Sequence, residues 1–372
     1  MDNIFIIHFS PPELYPPLQN FIRLLEKQVL PKKIILLTTA GNYGALKNFK
    51  TVNPQIKIIR MGKSGHGFGK IARLFYYFEF YVGCLLQLLL KRPFTVLYYE
   101  TLSSFPAYIY KRYFNRKAAI MVHYHEYTSQ AEYGQGMFLN RCFHRREKWL
   151  YPKLKWLSHT NSSRLQLFLE DIKPVLSPNT HCIPNYPPTS WMHETRQKRN
   201  DPVRILYLGA LSMDTMYTRE MAEWVLAQKG KVIWEIFAYK PETNARDFIE
   251  GLNSEWVQLK EGVDYESLPS LITQYDIGVV LYNGHIPNYV YNAPNKLFEY
   301  LSAGLDVWYP AVMSGCYEYD STQYWPKVLR LDFSNLGKFE LNGLLERKEN
   351  YYRPIAFNAD DALCPLAKTL LQ

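Results

Sequence analysis

The chain predicts an α/β fold with parallel sheets, built twice. Short apolar runs of strand length alternate with helix-length segments from one end to the other. A polar, Pro-bounded stretch, 186–202, interrupts the alternation, which then starts afresh. A length of 372 residues gives each half enough chain for its own core.

In the first half, Ile4 to Phe9 reads as a buried strand, followed by the Pro-rich loop Ser10 to Pro17 and a helix near Leu18–Lys27. Lys33–Thr39, Ile56–Arg60, Thr95–Tyr99 and Ala118–His123 read as further strands, with helices around 70–90 and 105–114. An amphipathic stretch follows from about 140 to 157, then a helix near 163–170, and His181 to Asn185 closes the half. In the second half the strands fall at Val203–Leu208, Val232–Ala238, Val257–Leu259, Ile277–Leu281 and Asp306–Trp308. The expected division is 1–185, a linker 186–202, 203–350, and a tail 351–372 whose apolar end, Ala362–Leu371, forms a helix packing back on the first domain. Ligands in such sheets bind at the carboxyl ends of the strands.

Composition narrows the partners. The formal charge is +9, from 43 Lys and Arg against 34 Asp and Glu, which favours an acidic partner. With no RNA-binding signature, zinc finger or helix-turn-helix pattern, no nucleic acid is expected, and an anionic membrane surface is the better candidate. Thirty Tyr, 20 Phe and 8 Trp suit surfaces that are half apolar and half wet, as sugar sites and membrane interfaces are. Cys84, Cys142, Cys182, Cys316 and Cys364 are scattered and odd in number, so neither disulfides nor a zinc site is expected. The N-terminus lacks a basic region and a cleavage site, so a cytoplasmic location is expected. Leu74 to Leu90 is apolar apart from Glu79, Gly83 and Gln87 and is flanked by Lys70, Arg73, Lys91 and Arg92. A helix packed on a sheet is the first reading, a helix lying in a membrane surface the second, and a transmembrane span the third.

The densest signal is Ala293 to Gly304. It reads as a short helix capped by Asn292, with Pro294 in its first turn and Gly304 at its C-terminal stop. Leu297, Phe298 and Leu301 make an apolar stripe, and Lys296 and Glu299 share the other face. A helix N-terminus favours an anion, so a lysine and a carboxylate there make a plausible clamp for a phosphate and a sugar. The same pair also suits a solvated i,i+3 ion pair.

This run, Pro294-Asn295-Lys296-Leu297-Phe298-Glu299-Tyr300-Leu301-Ser302-Ala303-Gly304, resembles the donor-binding helix of glycosyltransferase family 4. Cys182 to Asn185, Ile205 to Leu211, and Tyr265 to Leu271 with Asp276 to Val279 resemble further segments of that family in order and spacing. The resemblance implies a GT-B fold, two Rossmann-like domains facing across a cleft, of the type that builds bacterial surface polysaccharides. It implies transfer of a sugar from a nucleoside diphosphate to a saccharide or lipid-linked saccharide, with retained configuration and no metal. Glu299 would hold the ribose hydroxyls, Lys296 would face the diphosphate, and Gly209 would let backbone N–H groups approach it. Asn295, Tyr291 and Arg219 complete the donor side, while Pro11 and Tyr15 belong to the acceptor side.

The chain also departs from the family. Tyr291 stands where many members carry a sugar-reading glutamate, and the usual Arg and Lys are missing from Ser212 to Tyr217, leaving Arg219 or Lys296 to supply that charge. His123 and His125 end an apolar strand, point to the same side, and are the catalytic candidates by resemblance; on its own, such a pair is more often structural, or a metal ligand, than catalytic. Gly62 to Lys70 fails the Walker spacing, and no Asp-x-Asp pair follows a strand, so no cofactor or metal is expected. A GT-B nucleotide-sugar epimerase and a non-catalytic subunit of a polysaccharide assembly remain as alternatives.

Overall fold

The computed structural model describes residues 3–41, 48–64, 68–172, 179–192, 201–238, 241–341 and 357–372. The chain divides into two compact units, Met1–Pro184 with Ala359–Gln372, and Asn185–Asn358.

The first unit holds strands β1 (Asn3–Ile7), β2 (Lys33–Ala40), β3 (Ile56–Lys63), β4 (Thr95–Tyr99), β5 (Ala119–Tyr124), β6 (Leu154–His159) and β7 (Thr180–Cys182). Its helices are α1 (Pro16–Glu26), α2 (Lys70–Lys91), α3 (Ser104–Ile109), α4 (Gln130–Gln135), α5 (Phe138–Glu147) and α6 (Ser162–Asp171). The seven strands form one sheet in the order β3-β2-β1-β4-β5-β6-β7, parallel throughout. A parallel sheet is covered on both faces, so its strands must be apolar on both. Alternate residues of β1 show this: Phe5 and Ile7 pack with α2, α3, α5 and α6, while Ile4 and Ile6 pack with α1 and the C-terminal helix.

The second unit repeats the plan with β8 (Val203–Leu208), β9 (Val232–Ala238), β10 (Val257–Glu261), β11 (Ile277–Val279), β12 (Asp306–Pro310) and β13 (Val328–Leu331). Their order is β10-β9-β8-β11-β12-β13, again parallel. Helices α7 (Thr218–Ala227) and α8 (Thr243–Gly251) cover one face. Helices α9 (Leu268–Ile272) and α11 (Asn295–Ser302) cover the other, with the short α10 (Pro287–Val290) leading into α11. Helix α12 (Ala359–Leu371) belongs to the first unit, where Leu363, Leu366 and Leu370 join the α1 side of the core. In both sheets the order reverses beside the first strand, between β1 and β4 and between β8 and β11, and each reversal leaves a crevice at the strands' carboxyl ends.

Several expectations need correction. The stretch 140–157 is not one element: α5 stops at Glu147, a 3-10 turn carries Pro152, and Leu154 begins β6. Residues 186–192 are not linker, because Tyr186 packs on Phe298 at 4.7 Å between ring centroids and Trp191 packs on Tyr265 at 4.6 Å, all within the second unit. Strand β13 was not anticipated. Gly65 to Gly67, 193–200 and 346–353 lie outside the described residues.

Helix α2 packs on the sheet with one face only. Phe80, Tyr81, Cys84 and Leu88 are buried, whereas Ile71, Leu74, Phe75, Phe78, Val82, Leu86 and Leu90 are exposed, Ile71 by 87% and Leu90 by 74%. Ile71–Lys91 is long and apolar enough to cross a membrane. Its inner face is part of the first unit's core, so the exposed stripe is a surface of that unit.

Candidate functional site

In the second unit the chain leaves β8 at Gly209, whose φ of +144° is a backbone region that side chains disfavour. Its N–H donates to Phe237 O at 3.1 Å. The following loop is held by the Ser212 hydroxyl, which accepts from the N–H groups of Asp214 and Thr215 at 3.2 and 3.3 Å.

Across the β8–β11 reversal stands α11. Pro294, not Asn292, occupies its N-cap with extended backbone, and the helix begins at Asn295. Asn292 lies two residues too early to cap a helix that begins at Asn295, and Pro294 makes no side-chain cap bond; the Asn292 carbonyl accepts from Cys316 Sγ at 3.2 Å. The helix ends as expected at Gly304: the Gly304 N–H reaches Leu301 O at 2.9 Å and the Leu305 N–H reaches Tyr300 O at 3.0 Å, a Schellman pair. Leu297, Phe298 and Leu301 are buried, and the Tyr300 hydroxyl accepts the Leu208 N–H at 2.9 Å, tying the helix to the end of β8.

Lys296 Nζ lies 2.6 Å from Glu299 Oε2. This is not a solvated ion pair, for Glu299 is 2% exposed. A carboxylate held this deep needs a partner, and the lysine provides one while keeping 28% of its side chain in solvent. The approach to α11 is clamped from behind. A Cβ on Gly315 would sit 2.4 Å from Tyr291 C and O, so glycine lets the two backbones touch. Tyr291 caps α10, its N–H on Pro287 O at 3.0 Å. Gly209 follows β8, and α11, which carries Asn295, Lys296 and Glu299, is tied to the end of β8 through Tyr300, while Tyr291 lies against Gly315 beyond β12. Arg219 does not join them; it sits on α7, on the opposite face of the sheet from α11, with its guanidinium 4.5 Å from the Phe248 ring centroid.

The first unit has its own pocket at the β1–β4 reversal, a cavity of about 280 Å³ lined by His8, Tyr15, Glu100, Glu126, Tyr133 and Asn140 among others. Glu100, the residue after β4, has φ 63° and ψ 154°. That region is essentially reserved for glycine, and holding a glutamate there costs about 1–3 kcal/mol. Its Oε1 accepts from Tyr15 OH at 3.0 Å and from the N–H groups of His125 at 2.6 Å and Glu126 at 3.3 Å. Burial, reinforced by the Glu126 charge, raises the Glu100 pKa to about 8 against the lowering pull of these bonds. Burial lowers His8 to about 4; its Nδ1 lies 2.6 Å from Ser10 O, so Nδ1 must donate and Nε2 carries the lone pair.

Of the sequence candidates, Tyr15 lines this pocket; Pro11 is buried and caps the 3-10 turn before it. His123 and His125 do share one side, with ring centroids 4.8 Å apart. Both are buried, and burial lowers His123 to about 3 and His125 well below its usual value, so both are neutral. His123 Nδ1 bonds Ser158 Oγ at 2.8 Å. His125 works through its main chain: its N–H holds Glu100 and its carbonyl accepts from Arg164 Nη1 at 2.7 Å. Sequence reasoning missed Glu100, whose one signal was a carboxylate directly after an apolar strand. Among the described residues no group of three or more His, Cys, Asp or Glu is placed to hold a metal ion.

Solved structures decide the fold. A sucrose-phosphate synthase from Thermosynechococcus elongatus aligns over 100% of this chain and 92% of its own, with a TM-score of 0.64 and 13% identity. The fold is GT-B. Anabaena HepE, solved in complex with UDP and glucose, aligns over 100% of this chain and 96% of its own (TM-score 0.60, 12% identity). The UDP-GlcNAc 2-epimerase of Neisseria meningitidis, solved bound to UDP-GlcNAc, aligns over 99% of both chains (TM-score 0.56, 13% identity). No family model and no curated protein sequence matches. At these identities the likeness concerns the fold, and what this GT-B chain does must be argued from its own residues.

Proposed function

We propose that the chain is a metal-independent glycosyltransferase that moves a sugar from a nucleoside diphosphate to a saccharide, carried on a lipid at the cytoplasmic face of a membrane. The observation that carries the donor half is the buried Glu299 paired with Lys296 on α11. Ribose hydroxyls donate to a carboxylate in charge-assisted bonds, and the diphosphate competes for the ammonium. The pair then opens into a clamp with one charge for each part of the ligand. HepE, a GT-B protein with UDP and glucose bound, supports a nucleotide-sugar as the ligand class.

Lys296 and the dipole of α11 would stabilise the charge gathering on the departing diphosphate. If that diphosphate takes the acceptor's proton, as the family resemblance implies, the anomeric configuration is retained; a base on the protein instead favours inversion. The acceptor half is supported by the cavity beside Tyr15, whose lining of aromatic rings and hydroxyls suits a sugar. The membrane half is supported by the exposed apolar stripe of α2 together with the exposed Arg73, Lys91 and Arg92 and the net charge of +9.

A second reading, epimerisation of the nucleotide-sugar, is favoured by the epimerase likeness and by two carboxylates, Glu100 and Glu126, on one cavity. Incubation with UDP-glucose, UDP-galactose, UDP-N-acetylglucosamine or GDP-mannose separates the two. A transferase releases nucleoside diphosphate in an acceptor-dependent way, whereas an epimerase converts the sugar and leaves the nucleotide-sugar intact.

A further inference from the structure

We propose that Glu100 is a catalytic base, its Oε2 taking the proton of a substrate hydroxyl held in the first unit's cavity. The inference rests on the transferase reading and replaces the departing diphosphate as the proton acceptor. Among the described residues the hydrogen bonds to this carboxylate converge on one oxygen: Tyr15 OH, the His125 N–H and the Glu126 N–H all reach Oε1. Three donors on one oxygen fix the carboxylate plane and leave the lone pairs of Oε2 for the cavity that Glu100 lines. A backbone conformation reserved for glycine is the cost of aiming a side chain from this position, and such strain gathers at working sites.

The lining carries two carboxylates, hydroxyls and Asn140, with neither lysine nor arginine. A phosphate or carboxylate ligand is therefore disfavoured, and a neutral sugar is the fitting class. At about 280 Å³ the cavity lies just under the ~300–1,000 Å³ of drug-sized ligand sites, which suits one sugar ring.

The step balances without a co-reactant. The acceptor O–H bond breaks and its proton passes to Oε2. The oxygen bonds to the anomeric carbon while the bond from that carbon to the diphosphate oxygen breaks, and the diphosphate leaves with the electron pair. Attack opposite the leaving group inverts the anomeric carbon. Glu126, exposed on the rim, can relay the proton to water.

The groups facing Glu100 are His8 from the end of β1, Tyr15 ahead of α1, Tyr99 on β4, His125 and Glu126 after β5, and Tyr133 on α4. Burial keeps His8 and His125 neutral at pH 7 and Tyr15 and Tyr133 protonated, and the nearby Glu126 carboxylate reinforces the upward push of burial on Glu100. With the Glu100 pKa raised to about 8, kcat/KM should climb with pH to a plateau above 8.

The test uses the full chain with UDP-glucose, UDP-galactose, UDP-N-acetylglucosamine and GDP-mannose, all α-linked, and octyl glucoside, galactoside and mannoside as acceptors. Expected are a β-linked product by proton NMR and a fall in kcat of ~10²–10⁴-fold in Glu100→Gln. UDP binding should be unchanged in that variant, since the amide oxygen still accepts the three donors. Its Tm should match wild type below pH 4.5, where Glu100 is protonated in both the folded and the unfolded chain. An α-linked product, or a folded Glu100→Gln with wild-type kcat, overturns this assignment and leaves the transferase reading standing. The NMR result needs no variant, so a poorly folding Glu100→Gln does not shield the proposal. No transfer from any of these donors counts against both.

Discussion

Glu299 and Lys296 are coupled tightly enough that each tests the other. Lys296→Ala strands a carboxylate that is 2% exposed, which we expect to cost about 1–3 kcal/mol. For a unit of this size that lowers Tm by roughly 3–10 °C. Adding Glu299→Gln to the same chain should recover most of the loss, because no charge is then stranded; thermal unfolding of the single and double variants checks this. Gly315→Ala places a methyl 2.4 Å from the Tyr291 backbone, which must move and carry the start of α11 with it. A loss of about 1–3 kcal/mol is expected, and weaker UDP binding by calorimetry should accompany it. The helix that carries Lys296 and Glu299 was legible in the sequence because a proline start and a glycine stop frame it. Glu100 was not, since a positive φ advertises itself only when glycine occupies it, and a lone glutamate looks like any other charge.

At the scale of elements, strands buried on both faces were legible as continuous apolar runs, and β4 matches its expected bounds. Strand β13 escaped because Val328-Leu329-Arg330-Leu331 is a four-residue edge strand with its third residue in solvent. The fate of α2 was ambiguous for a physical reason: one helix carries two apolar faces, and only packing shows which is covered. Its outer face yields a separate prediction. Phe75→Ser with Phe78→Ser should leave Tm unchanged, because both rings are more than half exposed. Binding to vesicles of mixed phosphatidylglycerol and phosphatidylcholine should fall at least ~10-fold, since burying a phenylalanine is worth about 1.5–3 kcal/mol. Sedimentation that shows equal binding by both proteins, or no preference for the anionic lipid, contradicts the membrane role.

For the molecule as a whole, the two-unit α/β plan was legible because two sheets in series repeat one alternation. The return of α12 to the first unit had only its apolar spacing to announce it. The buried titratable groups of that unit set a pH signature. Burial lowers His8 and His144 to about 4, His123 to about 3, and His125 and His159 well below 6.5. Below 6.5 the unfolded chain binds more protons at these sites, so their contribution to stability rises as pH goes from about 4 to 6.5. Burial raises Glu100 to about 8 and Glu147 to about 7. There the folded chain binds more protons, so stability falls as pH rises from about 4.5 through 8. Five histidines outweigh two carboxylates below 6.5, and the carboxylates act alone above it. Tm should peak near pH 6.5, and Glu100→Gln should flatten the fall on the alkaline side. The central claim remains the nucleotide clamp on α11. Calorimetric titration of the wild-type chain and of Glu299→Ala with UDP and with GDP tests it most directly. We expect one of the two nucleotides to bind the wild type and the folded variant to bind it at least ~10-fold more weakly, as loss of charge-assisted bonds requires. Equal binding by both proteins, or no binding of either nucleotide to the wild type, would contradict it.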